Sequence, residues 1–401
     1  MDNWQKWIVG CLVVLLSVAT TFVAGFGIGH YVIPPADALV AAVAERHQDE
    51  FGIFWEAWRA IEDNFYTTEP LDAKSMTYGA IRGMVASLGD RHTTFLEPAQ
   101  ADLFRQDLQG QFSGIGATVS VTEEGHVRIV RPLPGAPAEK AGLRPGDIIL
   151  EVDGMAIQGM DLIQAIMLIR GLQNTSVTLL IDHASGGMSE VVIERALITV
   201  PTTEIRVVEG DIAYLALWEC NSRAPREVRD GLRTLLKANP PALIFDLRGN
   251  PGGYLHVAKE VASEFIDRGL LLIERGSDGS ETRHEARAGG LATQIPLVVL
   301  VDGASASAAE IIAGAIQDHQ RGVLIGEKTF GKGSVQTTQR LSDGSALQIT
   351  IRRWYTPDDR QIQGQGLTPD IEVAMAEEDL LAQRDPQLQR AVSYLLSQAQ
   401  K

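Results

Sequence analysis

Ser307, Lys332 and Gln336 are residue types that together can open a peptide bond. A serine hydroxyl attacks a carbonyl only if a base takes its proton, and a lysine can do so when burial holds its amine uncharged. Gln336 can accept a hydrogen bond from that amine and aim it, without stabilising the ammonium form as a carboxylate would. The implied chemistry is hydrolysis through an acyl-enzyme. Spacing alone is met equally well by an ordinary surface lysine beside a Gly-rich turn, so the elements around these residues have to carry the reading.

Ile295 to Val301 is an unbroken apolar run with β-branched residues, which suits a strand buried on both faces of an α/β sheet. From Ala308 to Asp318, Ile311, Ile312, Ala315 and Ile316 repeat at helical spacing. Ser307 therefore falls at a strand-to-helix junction, where the Ala308 N–H and the positive helix end are available to a developing oxyanion. Lys332 and Gln336, four apart, are expected on one face of a strand. Ser305 would serve only if the helix began sooner. Asp318 and His319 suggest a Ser-His-Asp triad, but a continuous helix puts Asp318 roughly 16 Å from Ser307 at about 1.5 Å per residue. Asp318 is expected to cap the helix end or pair with Arg321, and His319 to lie in a solvated loop.

The segment Asp246-Leu-Arg-Gly-Asn-Pro-Gly-Gly253 follows the strand-like run Ala242 to Phe245, so its glycines fall at a strand's carboxyl end, where open α/β sheets place ligands. Glycine lets a backbone amide approach a substrate closely. Taken alone the segment also reads as a tight turn. No Gly-Lys-Ser/Thr follows Gly253, which argues against a phosphate loop.

The SASAxE pattern around Ser307, AGAIQD ending at Asp318, and GEKTFGKGSVQ from Gly326 to Gln336 resemble the carboxyl-terminal processing proteases, also called tail-specific proteases. The resemblance extends over nearly the whole chain beyond the first forty or so residues. It implies that Ser307 is the nucleophile, Lys332 the base and Gln336 its orienter. It also implies that the glycine loop supplies a second oxyanion donor beside Ala308, with Gly253 the candidate and Gly252 the neighbouring choice. Ala309 stands where the family often has a third serine, without consequence for the mechanism.

Ala141-Gly-Leu-Arg-Pro-Gly-Asp-Ile-Ile-Leu-Glu-Val-Asp-Gly154 resembles a PDZ domain. Strands are expected at Ala117 to Val121 and Val127 to Val130, with short helices at Ala136 to Ala141 and Asp161 to Ile169. In such domains a peptide's C-terminus adds a strand to a sheet edge and backbone amides hold its carboxylate. That loop maps to Ser113-Gly-Ile-Gly116, so Gly114, Ile115 and Gly116 are the candidate substrate-binding residues. The partners implied are protein or peptide substrates with exposed C-termini.

The net charge of −16 over 401 residues argues against nucleic acid, which needs clustered Lys and Arg. Trp7 to Ile33 carries no acidic or basic residue except His30, longer than the about 20 residues that cross a bilayer. Its length favours an uncleaved anchor in a lipid bilayer over a signal peptide, with the bulk of the chain outside the cytoplasm. Cys11 and Cys220 are the two cysteines, and no disulfide framework is expected. No metal-ligand spacing occurs, so neither metal nor cofactor is expected.

The fold class expected is α/β and β: an N-terminal transmembrane helix, a helical front segment, a PDZ domain, and an α/β serine protease core that the resemblance makes ClpP- or crotonase-like. The bounds are 1–35 for the anchor or signal segment, 36–111 for the linker and helical region, 112–198 for the PDZ domain, 199–378 for the peptidase core and 379–401 for the C-terminal helix. Phe54, Trp55, Trp58 and Ile61, then Tyr78, Ile81, Met84 and Val85, read as core faces of helices. A catalytically silent PDZ scaffold for membrane proteins is the rival reading. A third reading is a penicillin-binding or β-lactamase-like acyl enzyme, but such enzymes carry Ser and Lys one helical turn apart, against 25 residues here. The resemblance leaves room for a homo-oligomer or a regulatory partner.

Overall fold

The computed structural model describes residues 42–399, apart from residues 123, 161, 200, 377, 378, 380, 381 and 383. These residues divide at Thr77 and Tyr78 into two units. The first contains helix α1 (Gln48–Asn64), which has no buried residue. Phe54, Trp55, Trp58 and Ile61 are therefore not core within that unit. The rings of Phe51, Phe54, Trp55 and Trp58 pack on one another instead, three of the four ring pairs lying three or four residues apart and Phe54–Trp55 adjacent.

The expected transmembrane helix is corrected out of the fold class. Among the described residues no helix is long and apolar enough to cross a membrane, and residues 1–35, on which the expectation fell, lie outside the described residues. The architecture is a mixed α/β core joined to a small β-domain.

Helix α2 (Ala73–Ala86) runs into the second unit, where Tyr78 and Val85 are buried with Phe95 while Met84 is exposed. Strand β1 (Thr94–Leu96) and helix α3 (Pro98–Gln109) follow. Gly110 stops α3 at φ 68°, and a Cβ there would lie 2.7 Å from Asn221 Nδ2. Next come β2 (Gln111–Gly114), β3 (Ala117–Val121), β4 (Val127–Pro132), α4 (Pro137–Lys140), β5 (Ile148–Val152), β6 (Met155–Ala156), α5 (Leu162–Ile169), β7 (Ser176–Asp182), β8 (Met188–Glu194) and β9 (Ala196–Thr199). The sheet runs β3-β4-β5-β7-β8, with β6 on β5, and leaves β3 at an edge. Val127, Ile129, Ile149, Leu179 and Ile181 are core, alternate residues of strands with one buried face.

In the α/β core, β10 (Thr203–Val208) pairs antiparallel with β11 (Ile212–Leu217). Strands β12 (Leu243–Asp246), β15 (Leu297–Val301), β16 (Val323–Gly326) and β19 (Ile371–Glu372) continue the sheet in parallel. Helices α6 (Ala224–Leu236), α7 (Leu255–Ala262) and α8 (Ala308–Asp318) cover one face, against Leu215, Phe245 and Val299. Helix α9 (Pro386–Ala399) covers the other, against Tyr214, Ile244 and Val298. Successive strand residues thus feed opposite cores, so these strands read as continuous apolar runs. A second sheet, antiparallel, is built from β13 (Leu270–Gly276), β14 (Glu281–Glu285), β17 (Ser334–Arg340), β18 (Ala346–Tyr355) and β1.

Candidate active site

Two loops leave adjacent parallel strands at their carboxyl ends and are tied together. Gly249 N–H donates to Asp302, Ala306 N–H to the Asn250 carbonyl at 2.9 Å, and the Ser305 hydroxyl to the Leu247 carbonyl at 2.8 Å. Ser305 is buried and spent on this join, which excludes it as a nucleophile. Ser307 caps α8 at φ 54°, ψ −112°, a backbone that a non-glycine residue holds only when its surroundings impose it.

Gly252 is part of that imposition. A Cβ on it would lie 2.8 Å from Ser307 Cβ and 2.9 Å from Ala308 N, so any side chain would strike the serine turn. Gly253 has φ 145°, and a Cβ there would lie 2.2 Å from the Cys220 carbonyl oxygen. The Gly252 N–H is taken by Asn250 Oδ1 at 2.9 Å. Among the described residues the N–H groups of Gly253 and Ala308 have no acceptor, so these two amides, not that of Gly252, are open to a ligand. Cys220 is fully buried, and burial pushes its thiol up to about 12, an inert group.

Lys332 lies just before β17 and Gln336 within it, and the pairing of β17 with β18 slips between Val335 and Gln336. Even spacing along one strand is therefore not what relates them. Both nevertheless line one cavity of ≈ 510 Å3 with Ser307, Ala308, Gly252 and Gly253. Burial lowers the Lys332 amine below the ordinary lysine range, against the opposing charges of Asp90 and Glu310. Gln336 Nε2 donates to Ser334 Oγ at 2.7 Å and Thr350 Oγ1 at 3.3 Å, which leaves its carboxamide oxygen as acceptor. The Lys332 amine has no hydrogen-bond partner among the described residues, and the expected bond to Gln336 is not formed. Contacts of this kind commonly tighten only when substrate is bound.

Glu310 is the residue that the sequence reading passed over. It is fully buried, and its Oε2 accepts both the Ser307 N–H at 2.8 Å and the Lys332 N–H at 2.9 Å. Its Oε1 accepts Thr329 Oγ1 at 2.6 Å and Gly331 N–H at 2.7 Å. Four donors fill the carboxylate's acceptor sites. Ser307 and Lys332 cannot separate by more than the two bonds to one oxygen without breaking one of them. The visible signal was an acidic residue three places after an N-cap serine.

Asp90 and His92 were also missed as site residues. Burial would raise Asp90, but hydrogen bonds from Thr350, Thr93 and the His92 N–H hold it below the usual carboxylate range. Thr350 thus links Asp90 to Gln336. Burial first, then the Lys332 charge, lowers His92, which keeps it from competing for protons. Asp318 does not pair with Arg321. It binds Arg360 and the Asp358 N–H, while Arg321 donates to the carbonyls of Phe265, Ala292 and Ile295. His319 Nε2 sits 2.6 Å from the Leu270 carbonyl.

In the β-domain, Gly114 ends β2 and Ile115 is buried. The carbonyls of Ile115 and Gly116 accept Ala138 N–H and Leu133 N–H at 2.7 and 2.9 Å. Their own N–H groups have no acceptor among the described residues, and they immediately precede edge strand β3. Gly116, at φ 72°, lies where a Cβ would meet Ala136 Cβ at 2.5 Å.

The fold is thus an α/β core with a small β-domain, and its cavity gathers a serine, a lysine and two open backbone amides. Residues 211–373 match the model of peptidase family S41, and residues 128–182 match that of the PDZ domain. The carboxy-terminal processing protease CtpA of Bacillus subtilis is 35% identical over 80% of this chain and 68% of its own length. The carboxy-terminal-processing protease of Bartonella bacilliformis is 35% identical over 88% and 81%. Among solved structures, the photosystem II D1 C-terminal processing protease is 32% identical at a TM-score of 0.50, covering 80% of this chain and 92% of that one. The chain belongs to peptidase family S41 and is a serine-type C-terminal processing protease with a PDZ domain.

Proposed function

We propose that the chain recognises the exposed C-terminal tail of a protein substrate through its PDZ domain and cleaves it by a Ser-Lys acyl-enzyme mechanism. Ser307 Oγ attacks the scissile carbonyl as its proton passes to the Lys332 amine. The oxyanion lies against the N–H groups of Ala308 and Gly253. Lys332 returns the proton to the leaving amine and then takes one from the water that releases the acyl group. Gln336 orients the amine through its carboxamide oxygen.

The observation that carries this reading is the single Glu310 oxygen bonded to the backbones of both Ser307 and Lys332 at the wall of one cavity. The lowered lysine supports it, because a base must be largely uncharged at working pH. For the tail, support comes from the free amides of Ile115 and Gly116 next to an unpaired strand edge. A working place outside the cytoplasm is part of the proposal and rests on the charge-poor segment Trp7 to Ile33 alone.

Purified Lys332→Ala is expected to keep its fold and bind a tail peptide, yet leave a tail-bearing protein uncut in a gel assay. Proteolysis retained in that variant sinks the mechanism.

A further inference from the structure

A second cavity of ≈ 270 Å3 adjoins the first, and Phe104, Leu108, Tyr254 and Thr338 line both. We propose that it is a specificity subsite, receiving one apolar substrate side chain about four residues from the bond that is cut. The proposal rests on the Ser307–Lys332 reading of the neighbouring cavity.

Its walls come from helix α3 and from the antiparallel sheet. Ala101, Phe104 and Leu108 stand on one face of α3 at helical spacing. Opposite them, Leu96 and Ala346 are partners across β1 and β18. Small residues at 101, 344 and 346 leave the space open. The charges on its lining are Asp102 and Arg105, which pair with each other at 2.7 Å, and Arg340, which is exposed. A charged side chain entering would lose water without gaining a buried partner, whereas an aliphatic or aromatic one loses nothing.

Strand β17 supplies the path from one cavity to the other. It pairs with β18 and, among the described residues, its other edge is unpaired. An extended peptide can hydrogen-bond along such an edge. Ser334 lines the first cavity beside Lys332, and Thr338 is shared with the second. Four residues of strand span roughly 13 Å at about 3.3 Å each, the same reach as four residues of an extended substrate.

The test is a positional peptide library, Leu, Phe or Ala at each place around the cut, presented to the full chain and to Ala101→Phe and Leu96→Ala. At a position about four residues from the cut, Ala101→Phe is expected to lower the Leu-over-Ala ratio of kcat/KM at least tenfold by filling the cavity. Leu96→Ala is expected to raise the Phe-over-Leu ratio there by enlarging it. Ratios within twofold of the parent at every position, in both variants, overturn the subsite. Lys332→Ala, run on the same library, separates the two ideas: cleavage by that chain overturns the Ser-Lys reading, while the ratios in the other variants judge the subsite.

Discussion

An ammonium ion drawn out of water loses hydration that only nearby negative charge can restore, and at Lys332 the loss is the larger effect. Asp90 and Glu310 restore part of it, so the proton affinity of Lys332 is set by a balance that a mutation can tilt. In the proposed mechanism the neutral amine is the active form, so kcat/KM should climb with pH, with a midpoint below the about 10.4 of free lysine. Asp90→Asn removes a charge that favours the ammonium form. The rising limb should therefore move to lower pH, as a pH-rate series on parent and variant will reveal. A limb that stays in place or moves up would contradict this balance. That Ser307, Lys332 and Gln336 belong to one site was legible in the sequence, because each stands in a long local motif, and the fold sets all three around one cavity. Asp90 and His92 were not, because Asp90 acts on Lys332, and Lys332 on His92, across most of the chain's length, a separation that only the fold closes.

At the scale of elements, helix α8 and the turn before β17 meet through Glu310. A glutamine there keeps the shape but replaces one accepting oxygen by an NH2 group facing N–H and O–H donors. Glu310→Gln is expected to lose about 1–3 kcal/mol of stability in denaturant melts. A greater loss is expected in kcat, roughly 10²-fold, through displacement of Ser307 and Lys332 relative to each other. Equal kcat in a folded variant would show that the clamp is structural only. Helix α8 was legible to the residue, since its apolar spacing and N-cap agree. The placing of Lys332 ahead of β17, not on it, was not legible, because the turn through Gly331 and Gly333 is pinned by Glu310 and Gln363, side chains from elsewhere. Which of the Gly252 and Gly253 amides is left open was likewise not legible, because it turns on the Asn250 side chain. Aromatic spacing on α1 predicted a buried face that the helix does not have, since periodicity reports a stripe and not what covers it.

Across the whole molecule, helix α3 lines the cleft and leads through Gly110 and β2 directly into the loop Ser113 to Gly116, the proposed tail-binding loop. One continuous stretch of chain thus runs from the cleft wall to the loop proposed to hold the tail. Amidating a substrate's C-terminus removes the carboxylate that the Ile115 and Gly116 amides are proposed to hold. KM should rise about tenfold or more, as expected for losing a charge-assisted hydrogen-bonding group, while kcat on the bound peptide changes far less. Equal KM for acid and amide would remove the PDZ loop from substrate capture. The two-part organisation of β-domain and α/β core was readable from the PDZ-like segment and the apolar strand runs. The central claim is the acyl-enzyme on Ser307, and acid-quench mass spectrometry of the chain mixed with a tail-bearing peptide ester tests it most directly. The predicted result is an acyl mass on the peptide containing Ser307, absent from Ser307→Ala. An adduct on another residue, or turnover by Ser307→Ala with no adduct, would contradict it.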